Sequence, residues 1–289
     1  MPALEEFEEI IRRNEPLAPY VHLKVGGPAE MLIQPRTREE LAEVVRQCFE
    51  QKIPLHVLGG GSNVLIPDEG VRGAVIRLTA PAFTTIEVDG KRVRAGCGAS
   101  LASLISEAST HALAGLETLV GIQGTVGGAI RCNCSGEIGR FVRRVEVIDA
   151  RGEIQVREKD ELQFGHSSSS LDDPVLLTAE FELDADEPSA IVKRMRKAWI
   201  HRKSRQPLTF QAAARIFKNP KGLVASEMIE QTGLAKTQVG GAEISERDAN
   251  FIVTRENATA RDVLRLIDLV RSRVRERFNV ELEQEITIW

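Results

Sequence analysis

The sequence predicts an α+β fold in which amphipathic helices and short strands form two or three packed units. Its length of 289 residues exceeds that of a typical single domain. Apolar residues recur at helical spacing in some stretches and alternate as in strands in others. Two glycine-rich stretches, at 59–61 and 124–128, interrupt apolar runs and predict loops with an exposed backbone.

Composition narrows the class of protein. Hydrophobic residues make up 42% of the chain, which suffices for a sizeable core. Lys and Arg number 38 against 42 Asp and Glu, so the net charge of −4 excludes a general nucleic-acid-binding surface. No apolar run approaches the ~18 residues that a membrane span needs. We therefore expect a cytoplasmic protein with no nucleic-acid or membrane partner. We also expect a monomer.

The cysteines do not predict a metal site. Cys48, Cys97, Cys132 and Cys134 are too few for a disulfide framework in a chain of this length. A single Cys-x-Cys is also a poor zinc motif. We expect ordinary buried thiols and no metal.

Residues 1–79 are predicted to form a first subdomain. Thr37 and Glu40 have the spacing of a capping box, and the apolar side chains that follow share one helix face. A strand is expected at 55–58, directly before Gly59. Two further strands, 64–66 and 74–76, are separated by a turn at 68–70.

Residues 80–203 are predicted to form a second subdomain, rich in strands. Asp89-Gly90 is a hairpin signal between alternating segments. Ser100 is expected to cap a helix that leads to the second glycine stretch. Further strands are expected at 145–148, 154–156 and 176–181, followed by a helix over 189–201 that ends in a basic cluster.

Residues 204–289 are predicted to form a third, smaller α+β domain. A helix is expected near 224–229, stopped by Gly233, and a strand at 249–253. Thr259 with Asp262 predicts the start of the longest helix, whose apolar stripe faces a core.

The two glycine stretches are the main functional signal. Glycine allows a ligand to approach the backbone without a Cβ in the way, and successive amides then form an anion site. The alternative for either stretch alone is a turn without a ligand. Two such stretches together predict a nucleotide cofactor.

In order and spacing, six motifs resemble the flavoenzyme family UDP-N-acetylenolpyruvylglucosamine reductase (MurB), nearly end to end. The motifs are Lys24-Val25-Gly26-Gly27-Pro28-Ala29, Gly59-Gly60-Gly61-Ser62-Asn63, Gly115-Leu116-Glu117 with the run from Gly121 to Ala129, Phe217-Lys218-Asn219-Pro220, Gly240-Gly241-Ala242-Glu243-Ile244-Ser245 and Leu282-Glu283-Gln284-Glu285. The chain is similar to the shorter type of the family, which lacks a tyrosine-bearing lid loop. Its single tyrosine, Tyr20, agrees with that type.

The resemblance implies a two-subdomain FAD-binding fold of the vanillyl-alcohol-oxidase type plus a substrate-binding domain that carries an active-site strand near residue 285. It implies non-covalent FAD, held between the first two subdomains, and NADPH as the reductant. The residues implied to bind FAD are Val25, Gly26, Gly59, Gly60, Gly61, Ser62, Asn63, Gly124, Thr125, Val126, Gly127, Gly128 and Ala129.

The resemblance also implies reduction of UDP-N-acetylglucosamine enolpyruvate to UDP-N-acetylmuramate for peptidoglycan synthesis. Glu285 matches the family's catalytic glutamate and Asn219 its substrate-binding asparagine. Two catalytic positions depart from the family: Arg215 stands where a proton-donating serine is usual, and Ser167 where an arginine is usual.

His166 and Asp248 also differ from the family's tyrosine and histidine at these positions. Guanidinium is effectively never deprotonated at neutral pH, so Arg215 is a poor proton donor. One hypothesis is a reciprocal exchange, in which Arg215 binds the substrate carboxylate and Ser167, a neighbouring serine or a water supplies the proton. The opposing hypothesis is independent loss at both positions.

Three functions therefore remain open from the sequence. The first is a working reductase with a rearranged catalytic site. The second is an FAD-binding paralogue whose catalysis is lost or changed. The third is a flavin oxidase of the same broad fold.

Overall fold

The structure, a computed structural model, describes residues 4–165, 167–207 and 212–289. The helices are α1 (Arg38–Glu50), α2 (Pro81–Thr84), α3 (Leu101–Thr110), α4 (Val126–Arg131), α5 (Pro188–Arg205), α6 (Ala225–Gln231) and α7 (Ala260–Phe278). The strands are β1 (Ile11–Pro16), β2 (Pro28–Ile33), β3 (Leu55–Val57), β4 (Val64–Leu65), β5 (Val71–Ile76), β6 (Ile86–Asp89), β7 (Arg92–Gly96), β8 (Leu113–Ala114), β9 (Val142–Ile148), β10 (Ile154–Glu158), β11 (Phe164–Gly165), β12 (Ser168–Ser169), β13 (Val175–Glu182), β14 (Asp184–Ala185), β15 (Ala212–Arg215), β16 (Gln238–Val239), β17 (Ala242–Ile244), β18 (Phe251–Thr254) and β19 (Thr287–Ile288).

The chain forms two compact units, and both are discontinuous in sequence. The first unit contains the chain up to Glu15 together with Ala29–Gly60 and Arg72–Ile200. The second contains Pro16–Pro28, Gly61–Val71 and His201–Trp289. The division into three consecutive parts at 79 and 203 stays a prediction.

The first unit is built on two sheets. One has the strand order β1-β2-β5-β3, and in it β3 pairs with β5 in parallel. Helix α1 buries Leu41, Val44, Val45 and Cys48 in the core of this part, as its spacing predicts. Thr37 Oγ1 caps the helix by accepting a hydrogen bond from the Glu40 backbone N–H at 3.2 Å.

The other sheet of the first unit has the order β10-β9-β13-β7-β6, and all its pairs are antiparallel. The predicted hairpin between β6 and β7 is confirmed, and Gly90 supplies its positive φ of 56°. The predicted cap is also confirmed, since Ser100 Oγ accepts from the Ser103 N–H at 2.9 Å. Helix α3 buries its apolar stripe in a second core cluster.

The second unit is built on an antiparallel sheet of order β15-β18-β17-β16, with α6 and α7 contributing to one core. The capping box of Thr259 and Asp262 on α7 is confirmed. A residue from a distant segment completes this helix start. Asp68 accepts hydrogen bonds from the backbone N–H groups of Ala260 at 2.7 Å and Arg261 at 3.0 Å.

Segments 16–28 and 61–71 belong to the second unit because their apolar side chains enter its core. Leu23, Val25 and Leu65 lie in the same buried cluster as the apolar stripe of α7. Strand β4 also pairs in parallel with β19, so that Val64 faces Thr287. Helix α7 and the short strand β19 thus fix both segments.

Several predicted boundaries are wrong: β5 and β9 each begin three residues earlier than expected, and two further differences concern α5 and β18. Helix α5 does not end at 201 but continues to Arg205, so that the basic cluster lies inside its last turn, where cations complement the helix dipole. Strand β18 begins at Phe251, not at 249, because Asp248 and Asn250 form a turn before it.

Cys48 and Cys97 are buried, as expected, whereas Cys132 is only half-buried. Burial raises the pKa of the Cys48 thiol to about 11 and that of Cys97 to about 12. Within the described ranges, no helix is both long and apolar enough to cross a membrane.

Candidate functional site

In the first unit the two predicted glycine loops lie against each other. A Cβ built on Gly60 would stand 2.7 Å from the Cα of Gly124, and one on Gly59 would stand 2.6 Å from Thr125 Oγ1. Real Cβ contacts are not this short, so only glycine permits the approach. The loops predicted separately from sequence therefore form one surface.

This surface has the features that a phosphate or a flat ring needs. In the part of the chain that the structure describes, the amide N–H groups of Gly59 and Gly60 donate to no acceptor. Gly128 is exposed, and a Cβ on it would meet only Thr125 Oγ1, at 3.5 Å. Free amides beside a bare backbone suit an anionic, planar cofactor, so the residues present fit FAD.

The remaining predicted cofactor residues lie in the second unit. Val25 is buried, and Gly26 has a φ of 113° that places its missing Cβ against Ile66. Gly61 is held similarly, with a φ of 66° and a hypothetical Cβ 2.3 Å from the Tyr20 carbonyl oxygen. These glycines are required by the local fold, whatever else they bind.

Arg215 and Glu285 form an ion pair in the second unit. Arg215 ends strand β15, and its Nε lies 3.2 Å from Glu285 Oε2. The Glu285 backbone N–H donates to the Ile216 carbonyl at 2.8 Å, which fixes the residue after Arg215 against the 285 segment. Asn63 Nδ2 donates to the Glu285 carbonyl at 3.0 Å. Glu285 thus lies beside Arg215 as the sequence predicts, on an anchored backbone.

The Asn219 side chain, which is predicted to bind substrate, also makes a hydrogen bond within the protein. Its Oδ1 accepts from the Ala225 N–H at 3.0 Å, at the start of α6. The adjacent Lys218 pairs with Glu283. Because the bond uses the amide oxygen of Asn219, its Nδ2 donors remain directed elsewhere and suit an acceptor on a ligand.

The sequence interpretation missed the turn that supports Arg215. Asn250 Oδ1 accepts from the Phe217 N–H at 2.9 Å, and its Nδ2 donates to the Phe217 carbonyl at 2.8 Å. The Asn250 N–H in turn donates to Asp248 Oδ1 at 2.9 Å. Two Asx residues directly before an apolar strand are typical of such turns, and that pattern was available in the sequence.

Ser167 lies in the first unit, between β11 and β12, with a φ of 52°. Two neighbouring serines have local partners: Ser169 Oγ donates to the Arg131 carbonyl at 2.8 Å, and Ser170 Oγ accepts from the Gln163 N–H at 3.0 Å. His166 lies outside the described residues. The reciprocal exchange of Arg215 and Ser167 stays a prediction.

Comparisons with known proteins cover most of the chain. A family model described as the C-terminal domain of UDP-N-acetylenolpyruvoylglucosamine reductase matches residues 206–289, and one described as an FAD binding domain matches residues 29–157. UDP-N-acetylenolpyruvoylglucosamine reductase 2 of Symbiobacterium thermophilum is 42% identical over 284 residues, which are 96% of this chain and 92% of the relative. The reductase of Moorella thermoacetica is 41% identical over 280 residues, with the same coverage.

A solved structure is also similar. The crystal structure of UDP-N-acetylenolpyruvylglucosamine reductase (MurB) from Thermus caldophilus has a TM-score of 0.83 and 37% sequence identity. The match covers 96% of this chain and 98% of that one.

Proposed function

The chain belongs to the UDP-N-acetylenolpyruvoylglucosamine reductase family, and from that premise we propose how its own residues carry out the reaction. It is an FAD-dependent oxidoreductase of peptidoglycan synthesis that uses NADPH to reduce UDP-N-acetylglucosamine enolpyruvate to UDP-N-acetylmuramate. The proposal concerns which side chains handle cofactor and substrate. A monomeric state and a cytoplasmic location stay predictions.

We assign cofactor binding to the surface formed by the two glycine stretches. The free N–H groups of Gly59 and Gly60 would hold phosphate oxygens, and the bare backbone near Gly128 would lie against the ring system. Bound FAD, once reduced by NADPH, supplies the hydride. Non-covalent binding is expected.

The Arg215–Glu285 ion pair is the observation that carries the substrate assignment. Hydride addition to the enolpyruvyl double bond places negative charge on the adjacent carboxylate. A preorganised guanidinium stabilises such charge. Glu285 holds Nε of Arg215, so the two Nη groups remain available for a carboxylate.

Proton delivery is assigned to the serine loop of the first unit. Ser167 is the proposed donor, with Ser168, Ser169, Ser170 or a water as alternatives in the same loop. A hydroxyl there would donate to the carbon next to the one that receives hydride, provided that it lies within about 2.6–3.2 Å. Asn219 would bind a polar group of the nucleotide sugar through Nδ2.

Anaerobic half-reactions test this function. NADPH should bleach the FAD of the holoenzyme, and the enolpyruvyl substrate should then reoxidise it at a catalytic rate. Arg215→Ala and Ser167→Ala should each slow reoxidation at least ~100-fold, since oxyanion and general-acid contributions are about that large. Arg273→Ala, in an exposed ion pair on α7, should leave the rate unchanged.

The outcomes separate the alternatives. Bleaching by NADPH without any substrate-dependent reoxidation would establish the FAD-binding paralogue instead. Reoxidation by oxygen during turnover of an alcohol or sugar would establish the oxidase. Normal reoxidation in Ser167→Ala would remove the serine from its assigned role while leaving the reductase intact.

A further inference from the structure

Asn250 is a buried asparagine of the second unit that lies outside the six family motifs and has no role in the reaction as described. Only 2% of it is exposed, directly before β18. Both of its backbone groups are bonded: its N–H donates to Asp248 Oδ1 at 2.9 Å, and its carbonyl accepts from the Ile216 N–H at 3.0 Å. The backbone of Asn250 is therefore fixed next to the segment that follows Arg215.

The Asn250 side chain binds the backbone of Phe217 as a neighbouring β-strand would. Its Oδ1 accepts from the Phe217 N–H at 2.9 Å, and its Nδ2 donates to the Phe217 carbonyl at 2.8 Å. An antiparallel ladder has the same exchange of one donor and one acceptor at a hydrogen-bonded pair. An amide can do this because it carries both groups, whereas an ionised aspartate of the same size offers acceptors alone.

The opposite edge of Phe217 pairs with the segment that carries Glu285. Phe217 and Gln284 form an antiparallel bridge. The Glu285 N–H donates to the Ile216 carbonyl at 2.8 Å, and the N–H of the residue after Phe217 donates to the carbonyl of the residue before Gln284 at 2.9 Å. Phe217 therefore lies between the Asn250 side chain on one edge and the Glu285 segment on the other.

The bonds on the two edges share the same peptide groups. The peptide between Ile216 and Phe217 accepts from the Glu285 N–H through its oxygen and donates to Asn250 Oδ1 through its nitrogen. The next peptide accepts from Asn250 Nδ2 and donates to the Glu285 segment. Hydrogen bonds in series polarise one another, so each strengthens the next. Loss of the Asn250 amide should therefore weaken the attachment of Glu285.

We propose that Asn250 is a positioning residue, which holds the Arg215–Glu285 ion pair in the geometry that binds the substrate carboxylate. Arg215 directly precedes Ile216, whose carbonyl binds the Glu285 backbone. A shift of the Ile216–Phe217 peptide would therefore change the 3.2 Å contact between Arg215 Nε and Glu285 Oε2. The inference rests on the proposed role of Arg215.

Asn250→Asp tests the donor half of the amide while keeping the size of the side chain. When the introduced carboxyl is ionised, an oxygen faces the Phe217 carbonyl and that bond is lost. Burial and the facing carbonyl both raise the pKa of this carboxyl above its ordinary value. The protonated form again has one donor and one acceptor. The defect should therefore be present above the raised pKa and be relieved as the pH falls through it.

The oxidative half-reaction measures the effect on the ion pair. The FAD of the holoenzyme is reduced anaerobically with dithionite, mixed with saturating UDP-N-acetylglucosamine enolpyruvate, and followed by flavin absorbance. Above the raised pKa, Asn250→Asp should reoxidise roughly 10- to 100-fold more slowly than the unmodified enzyme, because a misplacement of about 1 Å has effects of this size. At lower pH the two rates should become equal.

Two further variants separate positioning from stability. Asn250→Leu has a similar shape and no titratable group, so its rate relative to the unmodified enzyme should be low at every pH. Asp248, whose pKa is raised by burial, titrates in all these proteins and cancels from the ratio. Thr259→Ala removes the cap of α7 in the same unit without touching Phe217, so its reoxidation rate should be unchanged.

Amide hydrogen exchange tests the same bonds without any substrate. Above the raised pKa, the Glu285 N–H should exchange roughly 2- to 10-fold faster in Asn250→Asp than in the unmodified protein, the factor expected for one lost hydrogen bond. Thr259→Ala reports how much exchange at Glu285 changes through lower stability of the unit alone, and that change should be smaller.

Equal reoxidation rates in Asn250→Asp and the unmodified enzyme at every pH would overturn the inference. A defect that is as independent of pH as that of Asn250→Leu would overturn it too, because restoring the donor would then have no effect. Unchanged exchange at Glu285 would have the same consequence. If the enolpyruvyl substrate does not reoxidise even the unmodified enzyme, the proposed function fails, and the role of Asn250 in the reaction falls with it whatever the exchange shows.

Discussion

At the residue scale, Gly60 permits a close backbone contact because it has no Cβ. Its backbone lies against Gly124, and the two glycine loops can meet only because Gly60 has no side chain. At this contact, the Gly59 and Gly60 amides have no acceptor among the residues that the structure describes. Gly60 therefore allows the two glycine loops to touch, and its own N–H group is one of the donors assigned to FAD.

Gly60→Ala should weaken FAD binding roughly 10- to 100-fold. The added Cβ would stand 2.7 Å from the Gly124 backbone, and relieving such overpacking costs about 1–3 kcal/mol, which corresponds to that range of Kd. Flavin fluorescence titration of the apoprotein measures the change. Gly90→Ala, in a hairpin with nothing within 4 Å, should cost some stability through its φ of 56° but keep the affinity for FAD. Equal affinities in both variants would contradict the assignment.

At the scale of elements, several helices begin at a residue whose side-chain oxygen caps the helix. Helix α7 starts at the Thr259 capping box and receives two further hydrogen bonds from Asp68. Its buried stripe then forms much of the core of the second unit. The start of this helix is therefore where local sequence and distant chain segments act together.

Thr259→Ala should lower the free energy of unfolding by about 1 kcal/mol, the usual cost of removing an N-cap hydroxyl. The shift of the urea midpoint, followed by helix circular dichroism, would show it. Ser189→Ala removes an exposed hydroxyl near the start of α5 for which the described residues offer no hydrogen bond, and it should have almost no effect. A similar midpoint for both variants would show that Asp68 alone suffices as the cap.

The starts of α1, α3 and α7 could be predicted because each signal is local: a cap residue and an apolar stripe lie within one segment. The features that the sequence did not predict depend on contacts between residues far apart in the chain. Asp68 caps a helix 192 positions away, and no local pattern indicates this. In the site, Arg215 and Glu285 could be named from the family motifs. The pairing of Arg215 with Phe251 follows only from the β15–β18 register, which sequence alone does not give.

At the scale of the whole molecule, the segment that carries Glu285 is held by backbone pairing. Residues 63–65 pair with 287–289 through the bonds from the Thr287 N–H to the Asn63 carbonyl at 3.0 Å and from the Trp289 N–H to the Leu65 carbonyl at 3.2 Å. Glu285 lies just before this short ladder. The position of its side chain thus depends on backbone bonds outside the ion pair itself.

Deleting residues 287–289 should reduce kcat roughly 10- to 100-fold although Glu285 is retained, because a misplacement of about 1 Å has effects of this size. Steady-state NADPH oxidation measures it. The double variant Thr287→Ala, Ile288→Ala keeps the backbone bonds and removes only exposed side chains, so its kcat should be nearly normal. Full activity in the deletion would show that the ladder does not position Glu285.

Because the second unit is discontinuous in sequence, it also affects how the chain folds during synthesis. Asn63 and Glu285, which are bonded to each other, are 222 positions apart, so segments 16–28 and 61–71 leave the ribosome long before residues 201–289 exist. Until then Leu23, Val25 and Leu65 have no core to enter. Contacts of such long sequence separation form slowly, and waiting apolar segments favour aggregation. In the cell, therefore, the yield of this enzyme should depend on chaperones that protect the nascent chain.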